Sequence, residues 1–207
     1  MAVTFTATSV TKPKGVQGDY PLELVVGHEG MLADLQAYVS RSYYNQTGAA
    51  IPFGRLLQID NTPTTNDVYA VELAAGATNI VGISIDCYTF EGVEYENTHY
   101  IGNPTWIRED AEGEKHVGYP NEQVLNVMSK GVIWVHTVEA VELGDEVRAF
   151  IADYSGTTSG ADQGRFGKTA VGGSTVAITG ARWLSETTEA GLALLELDIP
   201  ASTFTAD

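Results

Sequence analysis

Apolar residues in this chain recur at every second position, in short runs broken by turn residues. Val3, Phe5 and Ala7 alternate with Thr4, Thr6 and Thr8, and Leu22, Leu24 and Val26 are spaced in the same way. A period of two places alternate side chains on opposite faces of an extended chain, so each run reads as a strand. Further strands are expected over residues 51–59, 68–73, 80–90, 124–138, 146–152, 175–181 and 192–199. Inside the 124–138 run, Ser129-Lys130-Gly131 predicts a hairpin turn. Only residues 31–40 fit a helical period, with Met31, Leu35 and Tyr38 at i, i+4 and i+7 and Leu32 and Val39 beside them. A short helix and a structured loop both remain open there.

Glycines, 22 in all, punctuate these runs, and residues 12–18 and 156–164 read as loops. Alternating strand and helix units, the mark of a parallel sheet, are missing. The expected fold is mainly β: a single antiparallel β-sandwich or barrel-like domain with at most one or two short helices. Residues 1–18 read as an N-terminal arm, or a first strand, with a flexible loop. Residues 19–207 read as the β-rich body.

Charge narrows the function. The chain holds 27 Asp and Glu against 11 Lys and Arg, for a formal net charge of −16. Phosphate binding needs cationic side chains to displace counterions, so neither nucleic acid nor an anionic membrane is an expected partner. No apolar run approaches the length of a membrane span. The opening residues, Met1 to Thr6, lack the basic and apolar regions of a secretory signal, so synthesis in a cytoplasm is expected.

A search for chemistry returns little. Cys87, the sole cysteine, lies in the apolar run 83–88 and reads as a small packed hydrophobe. His28, His99, His116 and His136 fall in no metal-binding spacing, so no metal and no cofactor are expected. Gly167-Lys168-Thr169 resembles part of a phosphate loop. The required upstream glycine is Asp162, so a turn between strands is the better reading. Gly156-Thr157-Thr158-Ser159-Gly160 misses the nucleophile-elbow pattern by one position. Acidic clusters occur at Glu94 and Glu96, at Glu109, Asp110 and Glu112, and at Glu139, Glu142, Asp145 and Glu146. In so acidic a chain they read as solvated surface. Asn45-Gln46-Thr47 matches a glycosylation acceptor, which without a secretory signal carries no meaning. Trp134 fits a strand core, whereas Trp106 and Trp183 read as core residues or as anchors at a partner surface. No catalytic residue is expected.

Four segments in order carry a resemblance. They are Ala49-Ala50-Ile51-Pro52-Phe53-Gly54; Val81-Gly82-Ile83; Ser129-Lys130-Gly131-Val132-Ile133-Trp134-Val135 with residues 139–147 after it; and Gly180-Ala181-Arg182-Trp183-Leu184 followed by Gly191-Leu192-Ala193. Together, over roughly residues 15 to 199, they resemble the structural cement proteins that decorate the heads of tailed phages. The resemblance implies a β-rich module without catalysis that binds the outer face of a capsid. Its partner would be the major capsid protein, and it would bridge capsomers as a homotrimer or homodimer. Net negative charge agrees with a place outside the shell, away from packaged DNA. Contact residues do not transfer by motif. The residues themselves suggest Val3 and Phe5, with Lys12 and Lys14 in the loop behind them, and Trp106. The segment carrying Val3 and Phe5 would either pair with a neighbour's sheet edge or form the first strand of its own domain. Two other readings share the composition: a receptor-binding phage domain, and a lectin-like β-sandwich built around Trp106, Glu109 and Asp110.

Overall fold

The computed structural model describes residues 27–33, 38–59, 70–73, 79–87, 93–95, 99–101, 107–109, 115–151, 163–199 and 203–206. Among them are sixteen strands and no helix, so the mainly-β expectation holds. The expected helix over residues 31–40 does not form in the described parts of that stretch. Leu32 bridges Ile133, and Val39 already lies in strand β1 (Val39–Asn45). The described apolar positions that suggested a helix, Met31, Leu32, Tyr38 and Val39, are divided between two segments beside one strand.

That strand is β10 (Val124–Thr137), and it organises the molecule. Its first half pairs with β1 on one side and with β5 (Ile80–Ser84) on the other. β5 pairs with β3 (Leu56–Ile59), and β3 with β4 (Ala70–Leu73). β4 then returns to β1 through a parallel contact, so five strands pair in a closed circle. Tyr43, Leu57, Leu125 and Val127 fill one core with Ile51, Phe53 and Tyr119. Ile51 comes from a small sheet in which β9 (Lys115–Tyr119) lies between β2 (Ile51–Pro52) and β8 (Ile107–Glu109). A separate hairpin joins β6 (Val93–Tyr95) to β7 (His99–Ile101).

The second half of β10 belongs to a different curl of sheet. There it pairs with β15 (Gly191–Asp198), which carries β14 (Arg182–Trp183) on its far side. Across β10 the order continues through β12 (Phe166–Gly167), β11 (Arg148–Phe150), β13 (Thr175–Thr179) and β16 (Thr203–Ala206). Ile133, Val135, Phe166, Ile178, Trp183, Leu195 and neighbours form the larger core in this curl.

The hairpin expected at Ser129-Lys130-Gly131 is absent, because those residues make a bulge instead. Val39 stands opposite Lys130 and Ser40 opposite Met128, which leaves Ser129 unmatched. One extra residue in a strand inverts which side chains face which way. Leu125 and Val127 therefore enter the first core, while Met128, Ile133 and Val135 enter the second from the opposite face. Gly131 permits this with φ +141°, and a Cβ there would lie 2.9 Å from the Cβ of Tyr38.

Other boundaries shift for local reasons. The 51–59 run is split by a turn at Gly54, whose φ is +70°. The 80–90 strand ends at Ser84, so Cys87 packs half-buried against the first core from beyond the strand. The expected strands at residues 3–8 and 22–26 lie outside the described residues. Trp183 is buried, 2% exposed. Trp134 is half-buried, its indole stacked against Gly27 where a Cβ would clash at 2.5 Å.

Asn45 closes the end of the five-strand circle. It is fully buried, and its amide donates to the carbonyls of Ala49 at 2.9 Å, Tyr119 at 3.1 Å and Pro120 at 3.0 Å. Its Oδ1 accepts from the Thr47 N–H and hydroxyl. Asn45→Ala strips a donor from three carbonyls, at about 1 kcal/mol each. A loss of about 3 kcal/mol in urea unfolding is expected, and an unchanged midpoint would contradict this role.

Candidate functional site

Where the two curls of sheet meet, five charged or titratable side chains converge. They come from five separate segments: Glu29, Arg55, His116, His136 and Arg165. Two glycines make the approach possible. A Cβ on Gly54 would lie 2.6 Å from Glu29 Cγ, and one on Gly30 would lie 2.6 Å from the Cβ of Phe53. Segment 27–33 can thus cross the 53–55 turn at backbone distance. It is stitched there by Gly30 N–H to the Trp134 carbonyl, Asp86 N–H to the Gly30 carbonyl and Trp134 N–H to the Met31 carbonyl.

His116 is the centre of the cluster. Arg165 Nη2 lies 2.6 Å from its Nε2, and Glu29 Oε2 lies 3.1 Å from its Nδ1. A guanidinium only donates, so Nε2 accepts and the ring proton sits on Nδ1, where it donates to Glu29. Both ring nitrogens are thereby engaged by protein. Arg55 Nε stands 3.6 Å from Glu29 Oε1, an ion pair without hydrogen-bond geometry. The His136 ring meets that of His116 edge-on at 6.2 Å.

Burial alone would raise the Glu29 carboxyl. The Arg55 guanidinium and the hydrogen bond from His116 act together against it, and the group is lowered from 4.5 to about 2. His136 moves the other way for a base. Burial lowers it, opposed by Glu29 and reinforced by Arg165, His116 and Arg55. Its buried Nδ1 has no hydrogen-bond partner, which suits a neutral ring. The cluster is a clamp: it fixes segment 27–33 onto the body. Sequence reasoning missed it. The available signal was a lone charge within an apolar run, as at Arg55 before Leu56-Leu57 and Arg165 before Phe166.

A second ionic group ties the far end of the larger curl. Glu139 accepts from the backbone N–H groups of Lys168 and Thr169 at 2.8 and 2.7 Å, and from the Thr169 hydroxyl at 2.6 Å. The Gly167-Lys168-Thr169 turn therefore presents its amides to an internal carboxylate, as a turn and not as a phosphate cradle. Lys168 Nζ reaches Asp145 at 2.9 Å, and this hydrogen bond holds the Asp145 carboxyl below its ordinary value. Part of the acidic cluster expected as solvated surface is thus structural. Among the described residues, no three His, Cys, Asp or Glu converge as metal ligands.

The binding residues expected from sequence, Val3, Phe5, Lys12, Lys14 and Trp106, lie outside the described residues. So does Asp110, while Glu109 ends β8.

Comparison with known proteins relates the chain to a protein family and to solved structures. The sequence profile of a phage family described as structural cement protein matches residues 16–198. No curated protein matches significantly. A solved structure from the capsid of Myoviridae phage XM1 superposes with a TM-score of 0.58 at 14% identity. The match covers 89% of this chain and 98% of that one, and at this identity it shows a shared fold.

Proposed function

The chain belongs to the phage structural cement protein family, and from that premise we propose that it binds the outer surface of a phage capsid and bridges neighbouring capsomers, as a binder without catalysis. The match across residues 16–198 carries the reading, since it spans fifteen of the sixteen described strands and not an isolated motif. A structural role at the phage capsid follows from the family. The outer face and the major capsid protein as partner are the finer part of the proposal. Charge supports the outer face: a net −16 is repelled by packaged DNA, so an inner-face position is disfavoured. A body built of paired strands suits a rigid clip. As a homotrimer or homodimer it would grip several capsomers at once, and weak single contacts would then suffice through effective concentration.

The test is reconstitution. Purified protein mixed with heads that lack it should give regular added density at local symmetry axes by cryo-electron microscopy. The decorated heads should also withstand heating that ruptures bare ones. Bare shells at protein concentrations far above micromolar would overturn the proposal.

A further inference from the structure

We propose that a second copy of this chain, related by a two-fold axis, docks face to face on the outer side of β14 and β15. The inference rests on the self-association put forward above and names its surface. Strand parity defines that surface. Trp183, Ala193, Leu195 and Leu197 enter the larger core, so the alternate positions of both strands face away from it. Those positions are Arg182 on β14 and Leu192, Leu194, Glu196 and Asp198 on β15. Leu184 follows β14 directly and lies beside Leu194, to whose carbonyl its N–H donates. On the β10 side this outer face is already in use, because Gly27 lies against Trp134 and the His136 ring meets His116. On the β14 side it is open. The Arg182 side chain is 68% exposed, that of Glu196 39%, and Leu184 38%.

Three observations point to a second copy as the occupant. The first is pattern. A sheet with one wet side keeps polar residues there, whereas a strand covered on both sides is apolar on both. β15 follows the second pattern at Leu192 and Leu194, and turns polar outward only at Glu196 and Asp198. The second is charge. The charged side chains on the outer face of β14, β15 and the second half of β10 pair off, Arg182 with Glu196 and Lys130 with Asp198 at 2.6 Å. This face is therefore neutral in a chain that carries −16 overall, so two copies can meet here without the repulsion that separates their acidic surfaces. The third is self-complementarity. Arg182 stands opposite Glu196 in the ladder, and Leu184 is bonded to Leu194 one step further. A two-fold axis parallel to the strands, passing between β14 and β15, sets Leu184 on the partner's Leu194 and Arg182 on the partner's Glu196, each twice. Leucine then meets leucine and every charge meets its opposite, which is what an isologous contact requires.

Sedimentation of the full chain without phage heads tests this. A dimer is expected at tens of micromolar. Leu184→Asp sets two carboxylates into the apolar centre of the contact and should weaken the dimer about 100-fold. Arg182→Glu brings like charges together across the two-fold, and so does Glu196→Arg. Each alone should weaken the dimer about 10-fold. Mixed in equal amounts, these two variants should pair again, because every 182–196 contact across the axis then joins opposite charges. A role confined to the ion pair within one chain would not be rescued by mixing. An exposed ion pair contributes little to folding, so both variants should keep the circular dichroism of the parent. If Leu184→Asp does not fold, the mixing experiment decides alone. A monomeric or trimeric full chain overturns the proposal. So does a dimer indifferent to Leu184→Asp, or a mixture no more dimeric than its components. A monomer that still decorates heads would overturn this inference and leave capsid binding standing.

Discussion

Replacing Glu29 with leucine should remove about 3–5 kcal/mol of folding stability, the range found when one member of a buried ion pair is lost. The substitution removes the negative charge facing Arg55 and the acceptor of the His116 Nδ1–H, in a largely buried place. A typical domain has 5–15 kcal/mol in total, so this change alone should push it toward unfolding. Glu29→Gln keeps the shape and an acceptor oxygen, and should fall between leucine and wild type. The pH dependence is a second handle. A carboxyl at about 2 in the fold, against 4.5 ordinarily, stabilises fully above pH 4.5 and progressively less as pH falls toward 2. At ~1.4 kcal/mol per pH unit, this amounts to about 3 kcal/mol. His136 adds to the acid sensitivity. Its lowered value means that the unfolded chain takes up the proton first, so stability declines as pH falls below 6.5. Denaturant midpoints measured from pH 7 to 2 should drop steadily in the wild type. In Glu29→Gln the slope below pH 4.5 should flatten. An equal slope in both proteins would show that Glu29 is not the titrating group.

Trp183→Ala is expected to cost about 3–5 kcal/mol, the usual range for deleting a fully buried aromatic. Among the described residues Trp183 is the largest fully buried side chain, and it belongs to the larger core with Val176 and Ile178 of β13 and Ala193, Leu195 and Leu197 of β15. Its indole N–H is buried without a hydrogen-bond partner. Trp183→Phe removes that orphaned donor while keeping most of the ring, so it should cost only about 1 kcal/mol. Urea unfolding of both variants checks the pair. Similar losses for alanine and phenylalanine would mean that the indole nitrogen, and not the packing, matters here.

Much of the strand content was legible because alternation and burial obey one rule. The runs at 175–181 and 192–199 appear as β13 and β15 within two residues of the expected ends. β10 shows where that rule loses its grip. Leu125, Val127, Ile133, Val135 and Thr137 alternate as though one face were buried throughout, yet the bulge at Ser129 makes them line two cores from opposite faces. Alternation records which side chains are buried and not which core receives them. Ser129-Lys130-Gly131 has the composition of a turn, and only the partners on either side of β10 decide that the chain continues. The Glu29 clamp was illegible for a related reason. Its members lie up to 136 positions apart, from Glu29 to Arg165, and no local pattern links them.

The continuity of β10 also determines how the molecule bears load. A pull that separates the two curls along this strand cannot be relieved by side chains sliding past one another, because a single covalent backbone runs through both. Force reaching β15 is resisted by eight register pairs with β10, Lys130 opposite Asp198 through to Thr137 opposite Gly191. In that geometry the backbone bonds are loaded in shear and must fail together, whereas a hairpin opened from its end unzips one bond at a time. The same strand that defeats a sequence-based hairpin therefore acts as a tie-rod, stiff along its length and able to pass tension from one end of the protein to the other.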